Sequence, residues 1–213
     1  LILKVRMHPN LLPLAQVIRA HGLSAKKSLG QHFLLDTALL ARIVQSAGDL
    51  AAYDVMEVGP GPGGLTRALL DSSARRVIAI EKDHRCLEAL APLCAAYGPR
   101  FELREQDAMA MDIRTIGDAP RVIVANLPYN IGTALVVQWI EAVAAHGADV
   151  LHGFTVMLQK EVAERMVAQP GDDAYGRLSV LMHQFTDSAI VMDVPPSAFV
   201  PPPKVMSSVL RAV

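Results

Sequence analysis

The stretch Asp54-Val-Met-Glu-Val-Gly-Pro-Gly-Pro-Gly-Gly-Leu-Thr66 decides the fold. Asp54–Val58 is a short apolar run, the segment from Gly59 to Gly64 holds only glycine and proline, and a helical pattern begins at Thr66. A strand that runs into a glycine turn and opens a helix is the first half of a β-α unit. Glycine permits positive φ and lets a ligand approach the backbone. A turn at the carboxyl end of a strand is where open α/β sheets bind ligands. Gly59, Gly61 and Gly64 also fit G-x-G-x-x-G, a pattern of low specificity when taken alone.

Two details narrow it. Glu57 stands two residues before Gly59, so the strand delivers a carboxylate to the site. Pro60 and Pro62 remove amide donors that a pyrophosphate would use. A carboxylate beside this loop suits a ligand with an amine or a cation, and S-adenosylmethionine carries an ammonium and a sulfonium.

Strands and helices alternate outward from the loop. Arg76–Ile80, Phe101–Arg104, Arg121–Ala125 and Leu151–Leu158 read as further strands. Helical patterns cover 37–47, capped by Asp36, and then Asp83–Ala95, Thr133–Ala145, Glu161–Ala168 and Leu178–Phe185. Near-continuous apolar strands imply a parallel sheet covered on both faces. Ser188–Val194 and Val205–Val213 read as late strands joined by a proline-rich stretch, which suits an antiparallel pair at one edge. The expectation is a Rossmann-like α/β fold, a seven-stranded and mostly parallel sheet with an antiparallel edge strand.

Hydrophobic residues make up 52% of the 213, and charged ones 19%, which excludes a disordered chain. No apolar run reaches the roughly 18 residues of a membrane span, and no signal peptide is expected. Cys86 and Cys94 fall on one expected helix, about 12 Å apart, too far for a disulfide. A reduced, cytoplasmic and monomeric protein without metal is the expectation. The net charge is −1, but residues 1–35 carry five basic residues and no acid. The division expected is a basic N-terminal arm over 1–35 and a catalytic cofactor-binding domain over 36–213; such an arm suits phosphate.

Further acids follow the loop at strand ends. Glu81 can accept both ribose hydroxyls of a nucleoside, and Asp107 the exocyclic amine of its adenine, with Ala108 packing nearby. The next strand runs into Asn126-Leu-Pro-Tyr129. An adenine amine is a poor nucleophile because its lone pair is delocalised into the ring. Acceptors on its hydrogens favour a pyramidal nitrogen. Asn126 offers a side-chain oxygen, and Pro128 biases Leu127 to an extended conformation that presents a carbonyl. Tyr129 can stack on the base. This is positioning and electrostatics on an unstacked base, with no covalent intermediate.

With these residues in place, the chain resembles the bacterial small-subunit ribosomal RNA adenine dimethyltransferases, the KsgA or RsmA type, from Ala25 onward. Lys26–Asp36, Glu57–Thr66, Glu81, Gln106–Ala108 and Asn126–Tyr129 are similar to the family's successive cofactor and site motifs. Met157–Glu161, Tyr175–Ser179 and Val194–Val205 resemble the small-subunit branch in particular. The resemblance implies S-adenosylmethionine contacts at His32, Leu34, Gly59, Glu81, Asp107 and Asn126, and Glu57, Gly61 and Ala108 are expected to bind the cofactor with them. It also implies base stacking by Tyr129, with Phe199 on the other face. His32 stands where many members have Asn. The implied reaction is dimethylation of two neighbouring adenosines near the 3′ end of 16S RNA in the small ribosomal subunit. Members usually continue into a small, basic, helical C-terminal domain, absent from this sequence, on which RNA docking is expected to draw.

Three other readings compete. A large-subunit (23S) enzyme of the macrolide-resistance type shares the cofactor motifs. A ribosome-assembly factor would use methylation secondarily. A nicotinamide oxidoreductase gives Asn126–Tyr129 no role.

Overall fold

The computed structural model describes residues 8, 11–24 and 32–213. Helix α1 (Leu14–Ala20) and strand β1 (Phe33–Leu34) precede α2 (Thr37–Ser46), β2 (Asp54–Val58), α3 (Gly64–Leu70), β3 (Arg76–Glu81), α4 (His84–Tyr97) and β4 (Phe101–Glu105). There follow β5 (Arg121–Asn126), α5 (Gly132–His146), β6 (Gly153–Gln159), α6 (Lys160–Val167), α7 (Arg177–Phe185), β7 (Ser188–Val194), β8 (Phe199–Val200) and β9 (Ser207–Ala212). The Asp36 carboxylate caps α2 by accepting the amides of Ala38 (2.9 Å) and Leu39 (3.1 Å).

Seven strands form one sheet in the order β4-β3-β2-β5-β6-β9-β7. Strands β2 to β6 are parallel to one another, and β9 is antiparallel to both β6 and β7. The expected antiparallel pair, β7 with β9, lies at one edge of the sheet, with β9 last in sequence but second from the edge. Burial explains the order. All but one of the β9 residues are buried, as an interior strand requires. Strand β7 alternates between half-buried and exposed positions until Val194, as an edge strand does.

Alternation along the strands feeds two cores. Met56, Ile78 and Ile123 face one side with Trp139 of α5, whose ring lies 6.0 Å from that of Phe154. Val55, Val77 and Val124 face the other, with Leu90 and Leu93 of α4. Strand order reverses between β2 and β5, and the crevice at such a reversal is the binding position of an open α/β sheet. Glu57 and the glycine loop leave β2 there, and Asn126 to Tyr129 leave β5 there.

Two features were not read from the sequence. Strand β1 pairs antiparallel with β8, Phe33 opposite Val200 and Leu34 opposite Phe199. Helix α1 packs on the body through Val17, in a cluster with Leu23, Phe33, Cys86 and Ala89. The described part of the basic arm is thus packed against the body. Lys26 to Gln31 lie outside the described residues.

Candidate active site

The crevice is a cleft of about 990 Å³ whose walls include His32, Leu34, Glu57, Gly59, Gly61, Glu81, Asp107, Ala108 and Asn126 to Tyr129. Of the residues singled out from the sequence, only Phe199 is not on its wall.

Glu57 is 1% exposed, and its Oε2 has no hydrogen-bond partner. Burial lifts its carboxyl to about 8; the Thr66 hydroxyl and amide pull the other way, and the Glu81 charge adds to the rise. Asp54, at the opposite end of the same strand, is also buried but fully partnered. It pairs with Arg75 (2.9 Å) and Arg76 (3.1 Å) and accepts the Asp118 amide (2.8 Å). Asp54 is structural by that measure. The unpartnered oxygen of Glu57 is what a ligand cation would satisfy.

The neighbouring strand ends in Glu81. Its Oε1 accepts the amides of Lys82 and Asp83, each at 2.8 Å, and its Oε2 accepts that of Gly61 at 3.2 Å. Burial still holds this carboxyl above the usual range. The glycine at 61 is required twice over: its φ is +55°, and a Cβ there would press on the Phe33 ring at 3.3 Å. Because Glu81 ties the glycine loop to β3, Glu81→Ala is expected to abolish S-adenosylmethionine binding, measured by calorimetry, and to loosen residues 59–63, measured by amide exchange. Retained binding would show that the carboxylate serves the loop alone.

Asp107 follows β4 and is half exposed. It accepts the Met109 amide at 3.0 Å and pairs with Lys82 at 3.3 Å, and these contacts hold its carboxyl below the usual range. Ala108 is buried and opens a short 3-10 turn beneath it.

The Asn126 side chain donates through Nδ2 to the His32 carbonyl at 3.2 Å, which sets its oxygen aside as an acceptor. Leu127 is buried, and its amide donates to Met157 at 3.3 Å. The Pro128 carbonyl accepts from Ile131 (3.2 Å) and Gly132 (2.9 Å) and so starts α5. Tyr129 is half-buried, its hydroxyl 2.6 Å from Ser207 Oγ, and burial raises its pKa. The His32 ring lies 5.2 Å from the Tyr129 ring at 32° and 6.4 Å from the Phe199 ring at 80°. His32 Nδ1 donates to the Pro201 carbonyl at 2.8 Å.

Phe199 is 2% exposed and packs in the core with Leu34. It therefore presents no open face to a base in this arrangement, and the His32 ring lies nearly perpendicular to it. The β1–β8 pairing turns it inward, a long-range contact that local sequence does not carry. Ser207, the partner of Tyr129, was missed; the signal was a pair of serines opening an otherwise apolar last strand. The pairing of Lys82 with Asp107 was missed too.

The ribosomal RNA adenine dimethylase family matches residues 22–212 of this chain. The chain belongs to that family. Ribosomal RNA small subunit methyltransferase A of Cereibacter sphaeroides is 55% identical over 199 residues, 93% of this chain and 70% of that protein. The crystal structure of a dimethyladenosine transferase from Plasmodium falciparum aligns with a TM-score of 0.74 at 33% identity. It covers 85% of this chain, which in turn spans 63% of that one. The 23S rRNA methyltransferase ErmE aligns with a TM-score of 0.70 at 30% identity, over 84% of this chain and 68% of that one. As a member of the adenine dimethylase family, the chain is an S-adenosylmethionine-dependent ribosomal RNA methyltransferase. Its cleft fits that cofactor. The unpartnered Glu57 oxygen answers an ammonium, and carboxylates end three adjacent strands. Among the described residues, no group of three or more His, Cys, Asp or Glu is placed to hold a metal ion, and no helix is long and apolar enough to cross a membrane.

Proposed function

We propose that this chain dimethylates the exocyclic amines of two adjacent adenosines near the 3′ end of small-subunit (16S) ribosomal RNA. The observation that carries this reading is the meeting, in one cleft, of the three strand-end carboxylates with Asn126 to Tyr129. The small-subunit choice is supported by the 55% identity to a small-subunit enzyme against 30% to the 23S enzyme.

In this reading Glu57 holds the cofactor's ammonium, Glu81 its ribose hydroxyls and Asp107 its adenine amine. His32, Leu34, Gly59, Gly61 and Ala108 form the walls around it. When bound, S-adenosylmethionine supplies an electrophilic methyl on a cationic sulfur. The protein's own work is positioning. Asn126 Oδ1 and the Leu127 carbonyl accept the two hydrogens of the adenine amine and aim its lone pair. Pro128 fixes that carbonyl, and Tyr129 stacks on the base. After one transfer a single hydrogen remains, so the second transfer uses one acceptor only. The charge that matters develops on the amine, where fixed acceptors in a partly dry cleft are most effective.

The basic arm over 1–35 is assigned to RNA phosphate, and residues 36–213 to catalysis. The protein is proposed to act in the cytoplasm as a monomer on the small ribosomal subunit. Mass spectrometry of RNA from treated, unmethylated small subunits is expected to show N6,N6-dimethyladenosine. With Tyr129→Ala, KM for the RNA is expected to rise about tenfold or more, while S-adenosylmethionine affinity changes little. The opposite pattern would put Tyr129 on the cofactor.

A further inference from the structure

The two rings that the family resemblance pairs as a base clamp, Tyr129 and Phe199, both touch a third. The imidazole of His32 is tilted against Tyr129 at 5.2 Å, within stacking range, and lies nearly perpendicular to Phe199 at 6.4 Å. We propose that the His32 ring competes with the substrate base for the face of Tyr129, so that His32 sets how tightly a base is held by the cost of displacing its imidazole. The inference rests on the reading of Tyr129 as the stacking residue.

Of the two rings, His32 is the one free to move. The Tyr129 hydroxyl is fixed by Ser207 at 2.6 Å. Among the described residues, the imidazole is held by one hydrogen bond, from Nδ1 to the Pro201 carbonyl at 2.8 Å. Rotation of the His32 side chain breaks that bond and clears the Tyr129 face. It leaves the His32 main-chain carbonyl in place, and with it the bond from Asn126 that sets out the acceptor oxygen. Both ends of the latch sit beside the small β1–β8 sheet, His32 just before Phe33 and Pro201 just after Val200. The sheet keeps the latch in register while the side chain turns.

Seating a base displaces the imidazole, and that cost lowers the apparent affinity of every base by the same factor. Asn in place of His32 keeps a hydrogen-bonding side chain but has no ring, so the cost should vanish for purine and pyrimidine alike.

The test uses short single-stranded RNAs carrying 2-aminopurine, or a fluorescent pyrimidine, at one position. Their quenching by the 213-residue chain reports stacking. Circular dichroism checks that each variant is folded. His32→Ala and His32→Asn are expected to bind the 2-aminopurine RNA about five- to tenfold more tightly than the unaltered chain. They should gain by the same factor for the pyrimidine probe, leaving the purine preference unchanged. His32→Phe keeps a ring without the Pro201 bond and is expected to fall between. Equal or weaker binding by both the Ala and Asn variants would overturn the proposal and make His32 a wall of the base slot. Quenching that survives Tyr129→Ala, or its absence in every protein, would remove the stacking reading and the competition with it.

Discussion

Asn126→Ala is expected to lower single-turnover methyl transfer by two to three orders of magnitude, with S-adenosylmethionine affinity changed by less than about fivefold. The side chain ends β5 at the point where strand order reverses. Its nitrogen is committed to the His32 carbonyl, so its oxygen is held in place before any base arrives. An acceptor that needs no reorganisation is worth most at the moment when charge develops on the amine. Asn126→Asp keeps an acceptor but sets a carboxylate against the His32 carbonyl, so it is expected to lose the geometry and much of the rate. Rapid-quench kinetics with a saturating cofactor separates the rate from binding. A rate within a few-fold of the unaltered enzyme would remove Asn126 from the chemistry.

Glu57→Gln is expected to stabilise the cofactor-free protein at pH 8 to 9 by a few kcal/mol and to leave it nearly unchanged near pH 5. The Glu57 carboxyl is raised from 4.5 to about 8 by burial. Between those values the folded chain holds a proton that the unfolded chain has released. Stability attributable to this group therefore falls as pH rises through the window, and levels off above about 8. Glutamine carries no such proton. The same carboxyl is assigned to the ammonium of the cofactor, and it must ionise to serve. Binding by the unaltered chain at pH 7 is accordingly expected to release close to one proton, and affinity to rise with pH towards 8. Glu57→Gln is expected to release none and to bind about tenfold or more weakly. Calorimetry in buffers of different ionisation enthalpy counts the protons. Binding with no proton released by the unaltered chain would contradict the assignment.

What the sequence made legible divides along physical lines. The parallel strands were readable because burial on both faces makes them continuously apolar, as in Val77–Ile80. The site carboxylates were readable because each lies at or near the carboxyl end of a strand. The place of β9 was not, since two short late strands look alike until their burial is known. The two-residue strands β1 and β8 carry no periodicity at all; their pairing is a contact between residues 33 and 200. That pairing explains why Phe199, read as a stacking residue, lies in the core. It also explains why His32, read from resemblance as a cofactor contact, has its ring against Tyr129. The environment of Glu57 was invisible as well: a strand-end carboxylate can be seen in sequence, but an unpartnered oxygen cannot.

The most direct test of the account is methyl transfer from labelled S-adenosylmethionine to ribosomal subunits that lack the modification, small and large side by side. The account predicts label in the small-subunit RNA alone, as dimethyladenosine, and loss of that label with Asn126→Ala. Label confined to the large subunit, or none in either from a chain that binds the cofactor, would contradict it.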